Sequence, residues 1–350
     1  MSRGVDAADV VIVYTCASTK AREDASLKAI HRFQKMKKGR TRLIVSGCLP
    51  SINKPRLKSV FDGVVVPARS LHELDQILDN KHPLRAIQYA GPDHQFKKDK
   101  MAEYPLRIEW GCEGKCSYCA IKFVYGKPKS RPIPEILTEF DRAFQKGYRN
   151  FMLVGNDSGS YGKDLGTSLT NLLDALCKRK NNCWFSLSHI SPNKLRAMLP
   201  SLRGLIRSGR IFRINLPVQS GSDRIIKLMN RNYTVADFKY CINKLTAYCP
   251  GIRLKTDFIV GFPSETEKDF SASLELAEWL EGRDVYFNCF VYSERPNTAA
   301  LKLPGKIDPE TQINRLDQLS GKCPAVPDGH FNIPSLWLDQ NRSGEAKAEE

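Results

Sequence analysis

The chain lacks a long hydrophobic run. Its apolar stretches, such as Val10 to Val13, are far too short to cross a bilayer, and its N-terminus carries no apolar segment of signal-peptide type. A cytoplasmic location with no membrane partner is therefore expected. In that compartment the eleven cysteines do not form a disulfide framework; they are metal ligands, reactive thiols or small buried hydrophobes. No second cysteine pair or histidine pair lies at zinc-finger spacing. No internal repeat is present beyond an alternation of strand and helix patterns.

What is present is ordinary in bulk and unusual in charge. The 350 residues suffice for two domains, and 41% hydrophobic with 26% charged residues is typical of a globular protein. Lysine and arginine number 54 against 38 aspartates and glutamates, a net charge of +16. Such a field favours a polyanionic partner, although solubility alone also accounts for it. The charge clusters at Lys35, Lys37, Lys38, Arg40 and Arg42, and again at Arg203, Arg207, Arg210 and Arg213.

The pattern predicts an α/β fold in two parts. In residues 1–90, strands over 8–15, 42–46 and 63–66 alternate with helices over 20–37 and 71–78, as in a small parallel α/β domain. Cys16 and Cys48 each fall just past a strand. In a parallel sheet such positions share the edge where ligands bind, so the two thiols are expected to face one crevice. Residues 91–103 are polar and basic and read as a linker. Residues 104–320 resume the alternation, with strands over 106–109, 150–154, 184–187, 212–216, 254–260 and 285–291. Six strand–helix units with right-handed crossovers predict an incomplete (βα)6 barrel with its active face at the carboxyl ends of the strands. Residues 321–350 read as an irregular tail.

The chemistry is concentrated in Cys112-Glu-Gly-Lys-Cys116-Ser-Tyr-Cys119, directly after the first barrel strand. Three cysteines within eight residues bind three irons of a [4Fe–4S] cube, and no fourth follows until Cys177. The fourth iron is left open for a chelating amino-acid group. S-adenosylmethionine (SAM) has one, and one electron from the cluster would cleave its C–S bond to a 5′-deoxyadenosyl radical. Cys177, Cys183, Cys241, Cys249, Cys289 and Cys323 match no ligand spacing and are expected to be buried hydrophobes.

This spacing, with an aromatic residue before the third cysteine, resembles the radical SAM superfamily. Residues 8 to 319 resemble one branch of it, the methylthiotransferases. The stretches that carry the resemblance are Asp9-Val-Val-Ile-Val-Tyr-Thr-Cys16, Val45-Ser-Gly-Cys48, Trp110-Gly-Cys112 through Arg131-Pro132, Leu153-Val-Gly155-Asn156 and Tyr161-Gly162. Further on come Leu216-Pro-Val-Gln219-Ser-Gly-Ser222, Asp257-Phe-Ile-Val-Gly261-Phe-Pro263-Ser-Glu265-Thr266 and Tyr292-Ser-Glu-Arg295-Pro-Asn-Thr298-Ala. The resemblance implies a SAM cluster on Cys112, Cys116 and Cys119, adenine against the backbone near Tyr118, and SAM's amino group near Gly155 and Asn156. Ser188 and Gln219 become contacts to SAM or substrate, and the Gly261-Phe-Pro263 turn shapes the adenine side. The alternative readings are tight turns for Gly155 and Gly261 and satisfied backbone groups for Ser188 and Gln219. His189 reads as a structural polar residue.

The resemblance also implies a second [4Fe–4S] cluster, which carries the sulfur to be transferred and is held by three N-terminal cysteines. Cys16 and Cys48 match the second and third; the first belongs to a segment that would precede Val5. A truncated start, an absent cluster or a substitute ligand would each account for this, and truncation is preferred because a missing edge strand would leave the sheet open. Family members end in a small RNA-binding β-barrel, for which the residues after Leu319 are too few. Methylthio transfer to adenosine of tRNA, with an external donor such as flavodoxin or ferredoxin, is thus the leading expectation. A protein, peptide or metabolite acceptor, or a non-catalytic RNA-binding relic, are the alternatives.

Overall fold

The computed structural model describes residues 8–37, 39–80, 103–283 and 285–323. The linker over 91–103 and the tail over 321–350 lie almost wholly outside them.

The N-terminal part is a three-stranded parallel sheet of β1 (Val10–Thr15), β2 (Arg42–Gly47) and β3 (Val64–Pro67), in that order. Helix α1 (Lys20–Met36) crosses from β1 to β2, capped by Thr19, whose hydroxyl accepts from the Arg22 N–H. The short α2 (Leu49–Ile52) and α3 (Lys54–Lys58) join β2 to β3, and α4 (Leu71–Leu78) follows. The sequence pattern did not reveal α2 and α3, which are too short for periodicity to show.

The second part is a six-stranded parallel sheet. Its spatial order is the chain order: β4 (Glu103–Arg107), then, after a small antiparallel hairpin of β5 (Glu109–Trp110) and β6 (Lys129–Ser130), β7 (Asn150–Val154), β8 (Trp184–Leu187), β9 (Ile211–Asn215), β10 (Arg253–Val260) and β11 (Val285–Val291). Sequential order with helical crossovers is that of an incomplete barrel. The helices are α5 (Ile121–Tyr125), α6 (Ile133–Gln145), α7 (Leu169–Arg179), α8 (Pro192–Arg207), α9 (Asp223–Leu228), α10 (Val235–Tyr248), α11 (Glu267–Glu281) and α12 (Pro309–Ser320). Capping boxes of Thr234 with Asp237 and Thr266 with Asp269 start α10 and α11.

The first barrel strand ends at Arg107, earlier than expected. Ile108 still donates to the Val154 carbonyl at 3.0 Å, but Glu109 leaves the ladder to pair with Ser130. That departure starts the cysteine loop. Phe140, Phe151 and Phe185 are fully buried between sheet and helices, with ring centroids 4.6 Å apart for Phe140–Phe151 and 6.2 Å for Phe151–Phe185.

The two parts share a hydrophobic core. Ala120 and Val124 from α5 are buried among Leu49, Ile52 and Leu57 of the N-terminal part. Helix α2 begins beside Cys48 and α5 begins two residues after Cys119, so this packing draws together the two cysteine-bearing segments.

Candidate functional site

A cavity of about 1170 Å³ opens at the carboxyl ends of the barrel strands, the edge at which such folds bind ligands. Cys112, Cys116, Cys119 and Tyr118 line it from the cysteine loop; Gly155, Asn156, Ser188 and Gln219 line it from the strand ends. Ser18 and Thr19, from the N-terminal part, complete the rim.

The cysteine loop is anchored at each end. Gly111, with a φ of +83°, donates to Asn156 Oδ1 at 3.0 Å. Ser117 donates from its N–H to the Met229 carbonyl (3.0 Å) and from its hydroxyl to the Leu228 carbonyl (2.8 Å), and its carbonyl accepts from Ala300 N–H (2.8 Å). Asn230 Nδ2 holds the Lys115 carbonyl at 2.8 Å.

A cluster fits this loop. Cys112 Sγ and Cys116 Sγ lie 3.1 and 3.5 Å from the point where a Cβ on Gly114 would stand, so any side chain there would intrude between the two sulfurs. Gly114 N–H donates to Cys112 Sγ at 3.1 Å. Among the described residues no three His, Cys, Asp or Glu side chains are arranged to hold a single ion; a cube instead takes one thiolate at each of separate irons. Burial pushes the Cys112 thiol up to about 11 and also raises Cys119, so loading the loop with metal displaces protons.

Several charged residues gather beside the loop. Lys194 Nζ bridges Asp157 Oδ2 (2.6 Å) and Glu113 Oε2 (3.1 Å), and Lys163 reaches Glu113 at 2.8 Å. Burial lowers the lysine, but the two carboxylates outweigh it and hold Lys194 above its ordinary value. The Cys112 thiol points at Asp157 Oδ2, 4.0 Å away. Asp157 Oδ1 and Arg231 Nε are buried without a partner among the described residues, and both residues line the cavity. Behind them Glu109 is fully buried; Oε1 accepts from Asp157 N–H at 3.1 Å, and burial pushes the carboxyl up to about 8. A Cβ on Gly155 would press on this carboxyl, 2.6 Å from Oε1, which accounts for the glycine.

The expected site residues divide. Ser188 is occupied by the backbone: its hydroxyl donates to the Leu153 carbonyl at 2.9 Å and accepts from Gly155 N–H at 3.4 Å. Gln219, at a φ of +71°, bridges to β10 through its backbone and lines the cavity. The Gly261–Pro263 turn stands apart from the other expected residues. It lines a separate cavity of about 200 Å³, with Tyr292 standing between the two. The reason is α12: Gln312 Nε2 donates to the Gly261 carbonyl at 3.0 Å, and Glu265 Oε2 accepts from Gly261 N–H at 2.7 Å while paired with Arg315 at 2.9 Å. His189 opens into the main cavity, where burial lowers its pKa.

Cys16 and Cys48 lie at neighbouring strand ends, after the paired residues Thr15 and Gly47. Cys48 N–H donates to the Thr15 carbonyl at 2.9 Å. Burial raises Cys16, yet contacts from Ser18 (3.3 Å) and Arg22 (3.9 Å) outweigh it and hold the thiol below its ordinary value. Burial and the nearby Cys16 push Cys48 up to about 11. The pair fits as two thiolates of a larger donor set; no third ligand joins them among the described residues.

Residues 111–277 match the Radical SAM superfamily, and residues 1–66 match the uncharacterized protein family UPF0004. The tRNA-2-methylthio-N(6)-dimethylallyladenosine synthase of Fervidobacterium nodosum is 33% identical over 325 residues, 89% of this chain and 74% of the relative. The chain belongs to the radical SAM methylthiotransferase family. A second methylthiotransferase, the threonylcarbamoyladenosine tRNA methylthiotransferase MtaB of Thermotoga maritima, is 32% identical over 90% of this chain and 73% of its own. Among solved structures the radical SAM methyltransferase TsrM from Kitasatospora setae, with cobalamin and a [4Fe–4S] cluster bound, superposes with a TM-score of 0.61 at 12% identity, over 83% of this chain and 65% of that one. That likeness shows the fold. As a radical SAM methylthiotransferase homologue the chain is an iron–sulfur enzyme that uses SAM. No helix among the described residues is long and apolar enough to cross a membrane.

Sequence reasoning missed Asp157, Lys194, Glu113 and Arg231. Asp157 directly follows the noted Gly155 and Asn156, and Glu113 sits inside the cysteine motif, so adjacency was an available signal. Lys194 lay on a helix with no motif to mark it.

Proposed function

We propose that this enzyme transfers a methylthio group to an unactivated C–H of adenosine in tRNA. The observation that carries the reading is the packing of α2 on α5. It sets the Cys16–Cys48 edge against the segment that bears Cys112, Cys116 and Cys119, and Ser18 and Thr19 open on the same cavity. A sulfur-donating site and a radical-generating site then serve one substrate space. The activities of the two relatives, both methylthio-forming and both acting on tRNA, support it.

Cys112, Cys116 and Cys119 would hold the SAM cluster, and Cys16 and Cys48 would contribute to the second. When bound, these groups and SAM supply a one-electron cleavage that yields a hydrogen-abstracting radical, and the sulfur to be delivered. The chain's own residues orient the reactants. Asp157 and Arg231 offer opposite charges to the zwitterionic end of SAM, and their unpartnered buried atoms gain hydrogen bonds there. Asn156 fixes the cysteine loop, the backbone at Tyr118 flanks the adenine, and the Gln219 amide faces the substrate. Gly155 leaves room for Glu109. Ser188 supports the strand ends, and the Gly261–Pro263 turn buttresses Tyr292 from behind.

Anaerobic reconstitution with iron, sulfide and a reductant tests the radical chemistry: SAM should be cleaved, and intact SAM would sink that part. Mass spectrometry of tRNA from a deletion strain tests the acceptor. The +S+CH2 adduct should disappear, and an unchanged adduct would sink the tRNA assignment.

A further inference from the structure

The basic cluster seen in the sequence divides in the fold. Arg210 turns inward to the Asn181 and Lys180 carbonyls at 2.9 Å each, and Arg213 pairs with Glu103 inside the barrel. Arg203 and Arg207 stay exposed on α8. With Arg196 they occupy positions i, i+7 and i+11, one stripe of a helix. Helix α8 has no acidic residue in its sixteen positions.

Helix α10 lies alongside and carries a matching stripe of Tyr240, Lys244 and Tyr248, at i, i+4 and i+8. The two stripes interlock. The Arg196 guanidinium sits 4.7 Å from the Tyr240 ring centroid, Lys244 Nζ 5.6 Å from the same ring, and Arg203 5.5 Å from Tyr248. The acid facing this strip is Asp237, already paired with Arg196 and capping α10. Asn193, Lys194 and Ala197 in the first turns of α8 line the main cavity, so the strip begins near the cavity rim and runs down the outside of the barrel for about 17 Å.

We propose that the α8–α10 strip is an RNA-docking track, which binds the backbone and exposed bases of the substrate RNA outside the cavity. It rests on RNA being the acceptor. Arginines and a lysine held over tyrosine faces suit phosphates beside stacked bases. An acidic protein surface would use the charges but not the aromatic faces.

The test is binding of an unmodified tRNA transcript to the reconstituted enzyme by fluorescence anisotropy across a salt series. Wild type is compared with R203Q/R207Q, with K244Q, and with K28Q/K35Q, which removes equal charge from exposed positions on α1. Thermal melting reports on folding. The track predicts that R203Q/R207Q binds roughly three- to tenfold more weakly, with the slope of log K against log salt reduced by about 1.4, while K28Q/K35Q changes little. K244Q should lose about half as much slope. Equal losses in R203Q/R207Q and K28Q/K35Q, or no loss in either, would overturn the track and leave RNA as the acceptor. Failure of the wild type to bind tRNA while it binds polyglutamate would overturn the track and the RNA acceptor together.

Discussion

The guanidinium of Arg295 and the carboxylate of Glu23 form an ion pair in which the side chains are 2% and 1% exposed. Arg295 follows β11 of the barrel and Glu23 lies in the first turn of α1, so the pair bolts the two parts together. Glu23 is also held by Arg56 at 2.6 Å and Asn53 at 3.0 Å, and nearby Lys20 N–H donates to Ser293 Oγ at 2.8 Å. The bolt stands beside Cys16, whose N–H and carbonyl are both tied to Ser26 of α1 at 3.0 and 2.9 Å.

Arg295→Met should therefore loosen the N-terminal part. Removal of one partner of a buried pair costs roughly 3–5 kcal/mol when the other charge is left bare; Arg56 still pairs with Glu23, so the loss should fall below that range. Limited proteolysis should cut the variant between the two parts much faster than wild type. Adding Glu23→Gln should recover part of the loss, and resistance unchanged in the single variant would show that the pair holds nothing.

Gly114→Val should impair cluster loading. A Cβ alone would stand 3.1 Å from Cys112 Sγ and 3.5 Å from Cys116 Sγ, and the branched side chain adds bulk beside both sulfurs. Iron and sulfide per chain after reconstitution should fall to the level of a triple alanine variant of Cys112, Cys116 and Cys119. About four irons remaining in that triple variant would demonstrate a second cube.

Glu109 should impose a pH dependence on stability. Burial raises its carboxyl from 4.5 to about 8 in the fold. The folded state thus binds a proton that the unfolded chain has lost between those values, and stability falls as pH rises across that window. Glu109→Gln keeps an acceptor for Asp157 N–H without the charge. Its melting temperature should exceed that of wild type above pH ~8, with each ~1 kcal/mol worth roughly 2–4 °C, and the two should converge below pH ~4.5. Parallel melting curves across this range would refute the assignment.

Lys194→Met should leave Asp157 and Glu113 without their shared cation next to Cys112. The expected result is weaker SAM binding by calorimetry, because Asp157 loses its fixed position, and a lower cluster potential, because a positive charge is removed nearby. Lys194→Arg should recover more of the potential than of the affinity. Unchanged values for both in Lys194→Met would assign the lysine to packing alone.

Local chemistry was legible and long-range chemistry was not. The strands over 150–154, 184–187 and 285–291 were readable to the residue because buried parallel strands are near-continuous apolar runs bounded by turns. The cysteine loop was readable because its three cysteines lie within eight residues. The setting of the Gly261–Pro263 turn was not legible because its partner Gln312 lies about fifty residues downstream on α12. The arginine run from 203 to 213 looked like one patch, yet strand and helix geometry sends half of it inside.

The sequence by itself determined the cysteine loop proposed to hold the SAM cluster, since such a loop is set by spacing along the chain. It also determined the order of strands, since short crossovers leave little choice of neighbour. Only the tertiary structure decided what surrounds that loop. Lys194 meets Glu113 across 81 residues and Arg295 meets Glu23 across 272. Burial is what makes losing one partner of the Arg295–Glu23 pair costly, and burial is a property of the packed fold that no local pattern encodes.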